Sequence, residues 1–202
     1  MLNLNRVVGM LLAVSCLALT SGCTVTRDLN LHYTPLIQTE RLANRSSPQV
    51  IEVGEFVDGR TQTMLAQFRA VGGLLTQYES KDDVVTFVRS SFVDALLKSG
   101  FEVPLPNQQD SKPLFKVTGK ITNFQANIDI GWDIITATHE VAVEVTITPI
   151  GGNPTSISMQ GKNIQQGERI QGNNLEAGLD RALQDCIKKF LENEKFRGLV
   201  KR

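Results

Sequence analysis

The sequence predicts an α+β fold, in which an antiparallel or mixed sheet of about four to five strands carries two amphipathic helices packed on one face. Two stretches specify the sheet. In PLFKVTGKITNF, Phe115, Val117 and Ile121 alternate with Lys116, Thr118, Lys120 and Thr122; in HEVAVEVTITPI, Val141, Val143, Val145 and Ile147 alternate with Ala142, Glu144, Thr146 and Thr148. Successive strand side chains point to opposite sides, so each pattern describes a half-buried antiparallel strand with one face on a core and one toward water. The helices show as apolar residues at three- and four-residue steps, from Val84 to Leu97 and from Leu175 to Phe190. That is the period of a helix with one buried stripe.

The elements follow in chain order. Residues 24–48 are polar, lack sustained periodicity and end near RSSP. They predict a tether, in which LHYTPLI lies along the domain as extended chain; its root-mean-square reach is roughly 25–30 Å. The chain thus divides into 1–22, a leader; 23–48, an attachment residue and tether; and 49–202, one domain. VIEVGEFV is the first strand, with Ile51, Val53 and Val57 on one face and Val50 and Phe56 on the other, as expected of an interior strand. It ends at Asp58-Gly59-Arg60. TQTMLAQFRAVGGLLTQYES gives little period beyond a short strand near Leu74-Leu75, after a break at Gly72-Gly73. Ser80 or Asp82 then caps a helix with Val84, Val85, Val88, Phe92, Leu96 and Leu97 on its apolar face, and Gly100 stops it. Phe101 and Val103 open a short edge strand that Pro104 and Pro106 end, and PNQQDSKP is a loop. NIDIGWDIITAT continues the extended pattern between the two alternating strands; SISMQGKNI, after the turn GGNP, is a weaker strand. Asn173 or Asn174 caps a closing helix through NNLEAGLDRALQDCIKKFLENEKF, whose stripe is Leu175, Leu179, Leu183, Cys186, Ile187 and Phe190.

The start of the chain decides its compartment. Arg6 in a short polar opening, an apolar run from Val7 to Leu19, then small residues before Cys23 form the three-part layout of a secretory leader. The run is shorter than the ~20 residues a membrane span needs, and the polar TRDLN follows at once. LTSGC resembles a bacterial lipoprotein signal, in which the cysteine after small residues is acylated and becomes the first residue of the mature protein. Thr20 departs from that pattern, where an aliphatic residue is usual. A second candidate, Cys16, lies inside the apolar run, and a plain leader with an incidental cysteine is the blander reading. The resemblance implies a membrane partner through acyl chains on Cys23. Thr24, where an aspartate would signal retention at the inner membrane, implies the periplasmic face of the outer membrane.

The remaining composition excludes more than it assigns. With Arg6 removed, 20 of the 21 basic residues remain against 21 acidic ones, so no charge excess points to nucleic acid. With Cys16 removed and Cys23 acylated, Cys186 alone is a free thiol and the mature monomer holds no internal disulfide. Cys186 falls on a helix stripe, where cysteine acts as a small hydrophobe. His32 and His139 have no ligand-type neighbours at metal-binding spacing, so neither a metal nor a cofactor is expected. No phosphate-binding glycine loop, nucleophile elbow or zinc-hydrolase motif occurs, which points away from an enzyme. Asp58 and Arg60, two apart on a strand and so on one face, either pair with each other or flank one site as candidate binding residues, against a solvated strand-end turn with Gly59 at positive φ. Trp132 is a candidate for stacking on a ligand or entering a partner surface, against packing on a sheet face.

Taken together, the cysteine signal, a first strand ending in DGRT, VVTFVRSSFVDALLKSGFEV, the alternating strands and the closing helix resemble the YajG-like lipoproteins. That resemblance spans nearly the whole chain. It implies an outer-membrane lipoprotein and carries over no catalytic residue. The expectation is a non-catalytic envelope lipoprotein that docks a protein partner, with a small-ligand or glycan-binding module as the alternative.

Overall fold

The computed structural model describes residues 24–35, 40–43, 49–70, 73–104, 112–169 and 171–201. The leader with Cys16 and Cys23, the RSSP stretch, Gly72 and most of the PNQQDSKP loop lie outside the described residues. The elements are β1 (Thr24–Leu29), β2 (Ile51–Asp58), β3 (Ala66–Arg69), β4 (Leu75–Ser80), α1 (Val84–Lys98), β5 (Phe115–Ile130), β6 (Ile135–Pro149), β7 (Thr155–Gly167), α2 (Gly172–Glu192) and α3 (Glu194–Val200). The fold is α+β with a mixed sheet, but the described residues form seven strands and three helices rather than about four to five and two.

The sheet runs β1-β4-β3-β5-β6-β7, and β2 also pairs with β5. β2 lies parallel to the first half of β5 and β3 parallel to the second half, at Ala66–Ala126 and Gln67–Asn127. The two short strands therefore share one edge of a long one, end to end. β5, β6 and β7 form an antiparallel meander, and β1 pairs parallel with β4 from Thr24–Leu75 to Leu29–Ser80.

The alternation read in β5 and β6 holds. Phe115, Val117 and Ile121 are buried with Val141, Val143, Val145 and Ile147, while Lys116, Thr118, Glu144 and Thr146 share the opposite face. A bulge between Ile121 and Asn123 then flips the parity, so that Phe124 and Ala126 rejoin the core. A bulge in β2, between Val53 and Phe56, does the same. Phe56 is therefore buried with Ile51 and Val53, and Val57 is exposed, the reverse of a regular two-residue period. Arg89 of α1 reaches the irregular stretch, donating Nε to the Gly54 carbonyl at 2.9 Å and Nη2 to the Val53 carbonyl at 2.8 Å. Opposite Phe56, Gly119 leaves space that its ring fills.

α1 buries Val84, Val88, Ser91, Phe92, Ala95 and Leu96, leaving Leu97 exposed and Val85 partly so. Its cap is neither Ser80 nor Asp82 but Asp83, whose carboxylate accepts from Val85 N and Thr86 N. Asp82 instead accepts from Leu31 N at 2.8 Å. Gly100 follows at φ +92, as its stop position requires. Phe101 and Val103 form no strand; a single bridge joins Glu102 to Val50. α2 buries all six residues of the expected stripe. It begins at Gly172 without a side-chain cap, so Asn173 and Asn174 are inside it. The predicted closing helix breaks at Asn193, whose side chain accepts from Lys195 N and starts α3.

Residues 24–29, expected within a loose tether, are an edge strand. Polar side chains on both faces hid it: five of its six residues are exposed, and its hold on the sheet is backbone pairing with β4 plus buried Leu29. The stretch that gave little period, 61–80, forms β3 and β4, which are too short and too polar for a clear pattern.

Candidate functional site

Asp58 and Arg60 are brought together, but with each other. Arg60 Nε and Nη2 donate to Asp58 Oδ1 and Oδ2 at 2.9 and 2.8 Å, and Arg60 N donates to Oδ1 at 3.0 Å. This bidentate hydrogen bonding, aided by the guanidinium charge, holds the Asp58 carboxyl below the usual range. Gly59 does not take the positive φ expected of it; its N–H continues the sheet by donating to the Ile121 carbonyl at 2.9 Å. The turn is thus a strand end locked by its own ion pair. Trp132 sits elsewhere, in the β5–β6 turn, and is fully exposed at 104 %. It does not pack on a sheet face.

His139 lies on β6 beneath Gly178 of α2, where a Cβ on the glycine would strike the imidazole ring. Its Nδ1 is 3.3 Å from the Asn163 carbonyl, so that nitrogen carries the proton, and Nε2 is buried without a partner. Burial lowers the pKa, opposed by the Asn163 carbonyl and helped by the charge of Arg181. Because the folded pKa lies below the unfolded value of about 6.5, the unfolded chain takes up the proton first as pH falls. Stability should therefore decline as pH drops below about 6.5. Melting curves across that range should show this, and His139→Gln should flatten that part of the profile; an unchanged slope in the variant would assign it to other groups.

Cys186 is buried on α2, and desolvation pushes its thiol up to about 12. It is a packing group, as its place on the stripe implies. No set of three or more potential metal ligands is clustered among the described residues, and no described helix is long and apolar enough to cross a membrane.

One polar constellation was not read from the sequence. Segment 30–34, which continues β1, is fastened along α2 by three side chains four residues apart. Glu176 Oε1 accepts from Asn30 N at 2.8 Å, Asp180 Oδ1 accepts from Thr34 N at 3.0 Å, and Gln184 Nε2 donates to the Thr34 carbonyl at 2.8 Å. Burial raises the Asp180 pKa against the lowering effect of its hydrogen bonds from Thr34 and Gln184. An open cleft of about 560 Å³ remains between the segment and the helix, lined by His32, Thr34, Asn173, Glu176 and Arg181 among others. The signal was present as a polar line, Glu176, Asp180, Gln184, beside the apolar stripe; its partner was hidden because 30–34 has no period of its own. A second, shallower cleft of about 340 Å³ lies on the outer sheet face between Glu55, Lys120 and Glu144.

No family model matches the chain, and no curated protein matches it. Solved structures do. A Xanthomonas campestris protein of family DUF330 superposes with a TM-score of 0.52 at 13 % identity, covering 86 % of this chain and 96 % of that one. A Helicobacter pylori protein described as a putative neuraminyllactose-binding hemagglutinin homolog gives 0.47 at 10 % identity, over 86 % and 97 %. A lipoprotein from Neisseria meningitidis gives 0.38 at 10 % identity, over 64 % and 92 %. The first likeness is one of fold, at an identity that carries nothing about activity.

Proposed function

We propose that this chain is a lipid-anchored cell-envelope protein, held by acyl chains on Cys23, whose domain docks an envelope partner without catalysing a reaction. The observation that carries the reading is the join of signal and fold. Ser21-Gly22-Cys23 is followed directly at Thr24 by a strand already paired into the sheet. Cleavage before Cys23 would leave every described element of the domain, from Thr24 on, in the mature chain. Two or more acyl chains hold a protein stably at a bilayer, at about 0.8 kcal/mol per buried methylene. Thr24 after the cysteine and the YajG-like pattern support the outer membrane, periplasmic face. Docking is supported by the layer arrangement, since the helices cover one sheet face and leave the other, a broad Lys, Glu, Thr and Ser surface on β5, β6 and β7, open.

Metabolic labelling with an alkynyl fatty acid tests the anchor. The wild-type chain should label and fractionate with membranes, and Cys23→Ser should lose both; label retained in the variant would move the anchor to Cys16. Crosslinking in intact cells tests the docking, and failure to capture the same envelope protein repeatedly would sink it. The 560 Å³ cleft beside α2 favours one other reading, a small-ligand or glycan-binding module. Stabilisation of the purified chain by a glycan, with no protein captured, would select it.

A further inference from the structure

Ten large apolar side chains are exposed among the described residues, and they are unevenly placed. Ile130, Trp132 and Ile134 crowd the tip of the β5–β6 hairpin, where Gly131 N donates to the Ile134 carbonyl at 3.0 Å and closes the turn. Trp132 is fully exposed there and Ile134 is 51 % exposed. No packing role in the fold accounts for an indole held wholly in water at a tight turn. An exposed apolar tip of this kind marks a contact surface.

The sheet register shows what faces that surface. Gln67 of β3 pairs with Asn127 of β5, and both strands run toward the hairpin tip. Two residues further along β3, Arg69 pairs with Leu75, which in turn pairs with Thr24. Thr24 therefore stands in the row of Asp129, one residue short of Ile130, where the hairpin ends. β1 runs from Thr24 away from the tip, because it is parallel to β4, and β4 is antiparallel to β3. Thr24 therefore enters the sheet at the tip end. Cys23 is the next residue, about 3.8 Å away from Cα to Cα. Across the sheet, Thr24 stands three strand spacings from β5, about 15 Å.

We propose that the β5–β6 hairpin tip is a second membrane contact, with Trp132, Ile130 and Ile134 seated in the headgroup region of the leaflet that holds the acyl chains. This rests on the acylation of Cys23. The anchor and the tip lie at one end of the same sheet, so a bilayer that takes the acyl chains meets the indole as well. Tryptophan suits that depth, with an apolar body and an N–H donor for headgroups or water. Leu74, in the turn between β3 and β4, and Val25 are exposed near the same end and widen the apolar footing. The charged residues around it, Asp129, Asp133 and Glu168 against Arg69 and Arg169, carry no basic excess, which fits a predominantly zwitterionic leaflet rather than an anionic one.

The chain provides its own reporter, since Trp132 is its one tryptophan. The full acylated chain is reconstituted in phosphatidylethanolamine/phosphatidylglycerol vesicles with or without brominated lipid. Mass spectrometry of the Cys23 peptide reads acylation separately. With Cys23 acylated, Trp132 emission should move to the blue, lose several-fold in acrylamide quenching, and at least halve with brominated lipid. Emission of a water-exposed indole, quenched by acrylamide and untouched by brominated lipid, would overturn the tip contact while leaving the anchor intact. A blue-shifted emission insensitive to brominated lipid would overturn it in favour of a protein or a second copy covering the tip. Absence of acylation at Cys23 would instead defeat the anchor on which the contact rests.

Discussion

Gly161→Val abolishes folding or removes well over 3 kcal/mol of stability, because the lost space is occupied by backbone. A Cβ on Gly161 of β7 would overlap the Ala182 carbonyl of α2 and lie 2.5 Å from Cys186 N. Neither atom belongs to a side chain that can rotate away, so α2 as a whole would have to lift. That helix contributes eight residues to the hydrophobic core. Lifting it also breaks the contacts that shield the outer edge of β7, where Asp185 accepts from Lys162 N at 3.0 Å and Lys189 donates to the Gln160 carbonyl at 2.9 Å. Alanine at Gly161 should be nearly as damaging, since the clash begins at Cβ. Gly198 provides the contrast: it lies inside α3, exposed, with nothing near its missing Cβ. Gly198→Ala should stabilise by about 0.5–1 kcal/mol through the reduced backbone entropy of the unfolded chain. Urea unfolding of the three chains checks the set, and a Gly161 variant with a wild-type midpoint would show that α2 does not seat where described.

Phe190→Ala should cost about 3–5 kcal/mol, the upper range for truncating a fully buried aromatic. Six of the nine phenylalanines form one connected set. Phe56 of β2 meets Phe92 of α1 at 5.3 Å between ring centroids, Phe92 meets Phe190 of α2 at 5.5 Å, and Phe190 meets Phe196 of α3 at 4.5 Å. Phe196 in turn contacts Phe101 and Phe115, each at 6.0 Å. Phe190 is thus the link between α1 and the C-terminal helix, and its removal opens a cavity where three helices meet the sheet. Phe196→Ala should cost less than the sum suggests when combined with Phe190→Ala, because the two rings share one contact. Chemical denaturation of both single variants and the double variant measures that coupling, and simple additivity would argue against a shared cluster.

The legible parts of the fold were those in which a period survived over many residues. β5, β6, α1 and α2 each bury one face against one continuous core, so their apolar residues recur at two- or at three- and four-residue steps. The parts that were not legible each lack one of these conditions. β1 is held by backbone pairing and exposes most of its side chains. β3 is four residues long, and bulges invert the parity of β2 and β5 within a single strand. Gly161 could have been singled out, because a glycine inside a strand marks a close backbone approach. The candidate residues divided in the same way. The Asp58-Gly59-Arg60 pairing follows from residues two apart, a local relation. The solvent exposure of Trp132, and its place at the same end of the sheet as Thr24, depend on which strands lie side by side, which no local pattern carries.

The fastening of segment 30–34 along α2 also constrains the order in which this protein can be made. Asn30 and Thr34 find their partners 146 to 150 residues later in the chain, on Glu176, Asp180 and Gln184. The amino-terminal stretch has little else to hold it before then, beyond one edge of β4 and the Asp82 carboxylate. Closing so long a loop early is entropically unfavourable, and the contact becomes rewarding only when the last helix is present. A nascent chain led across a membrane by its own amino terminus would therefore still be open when its final residues leave the ribosome. If the chain is exported as proposed, the late arrival of α2 would keep the domain threadable for as long as threading is needed, and complete it only once the whole chain is on one side.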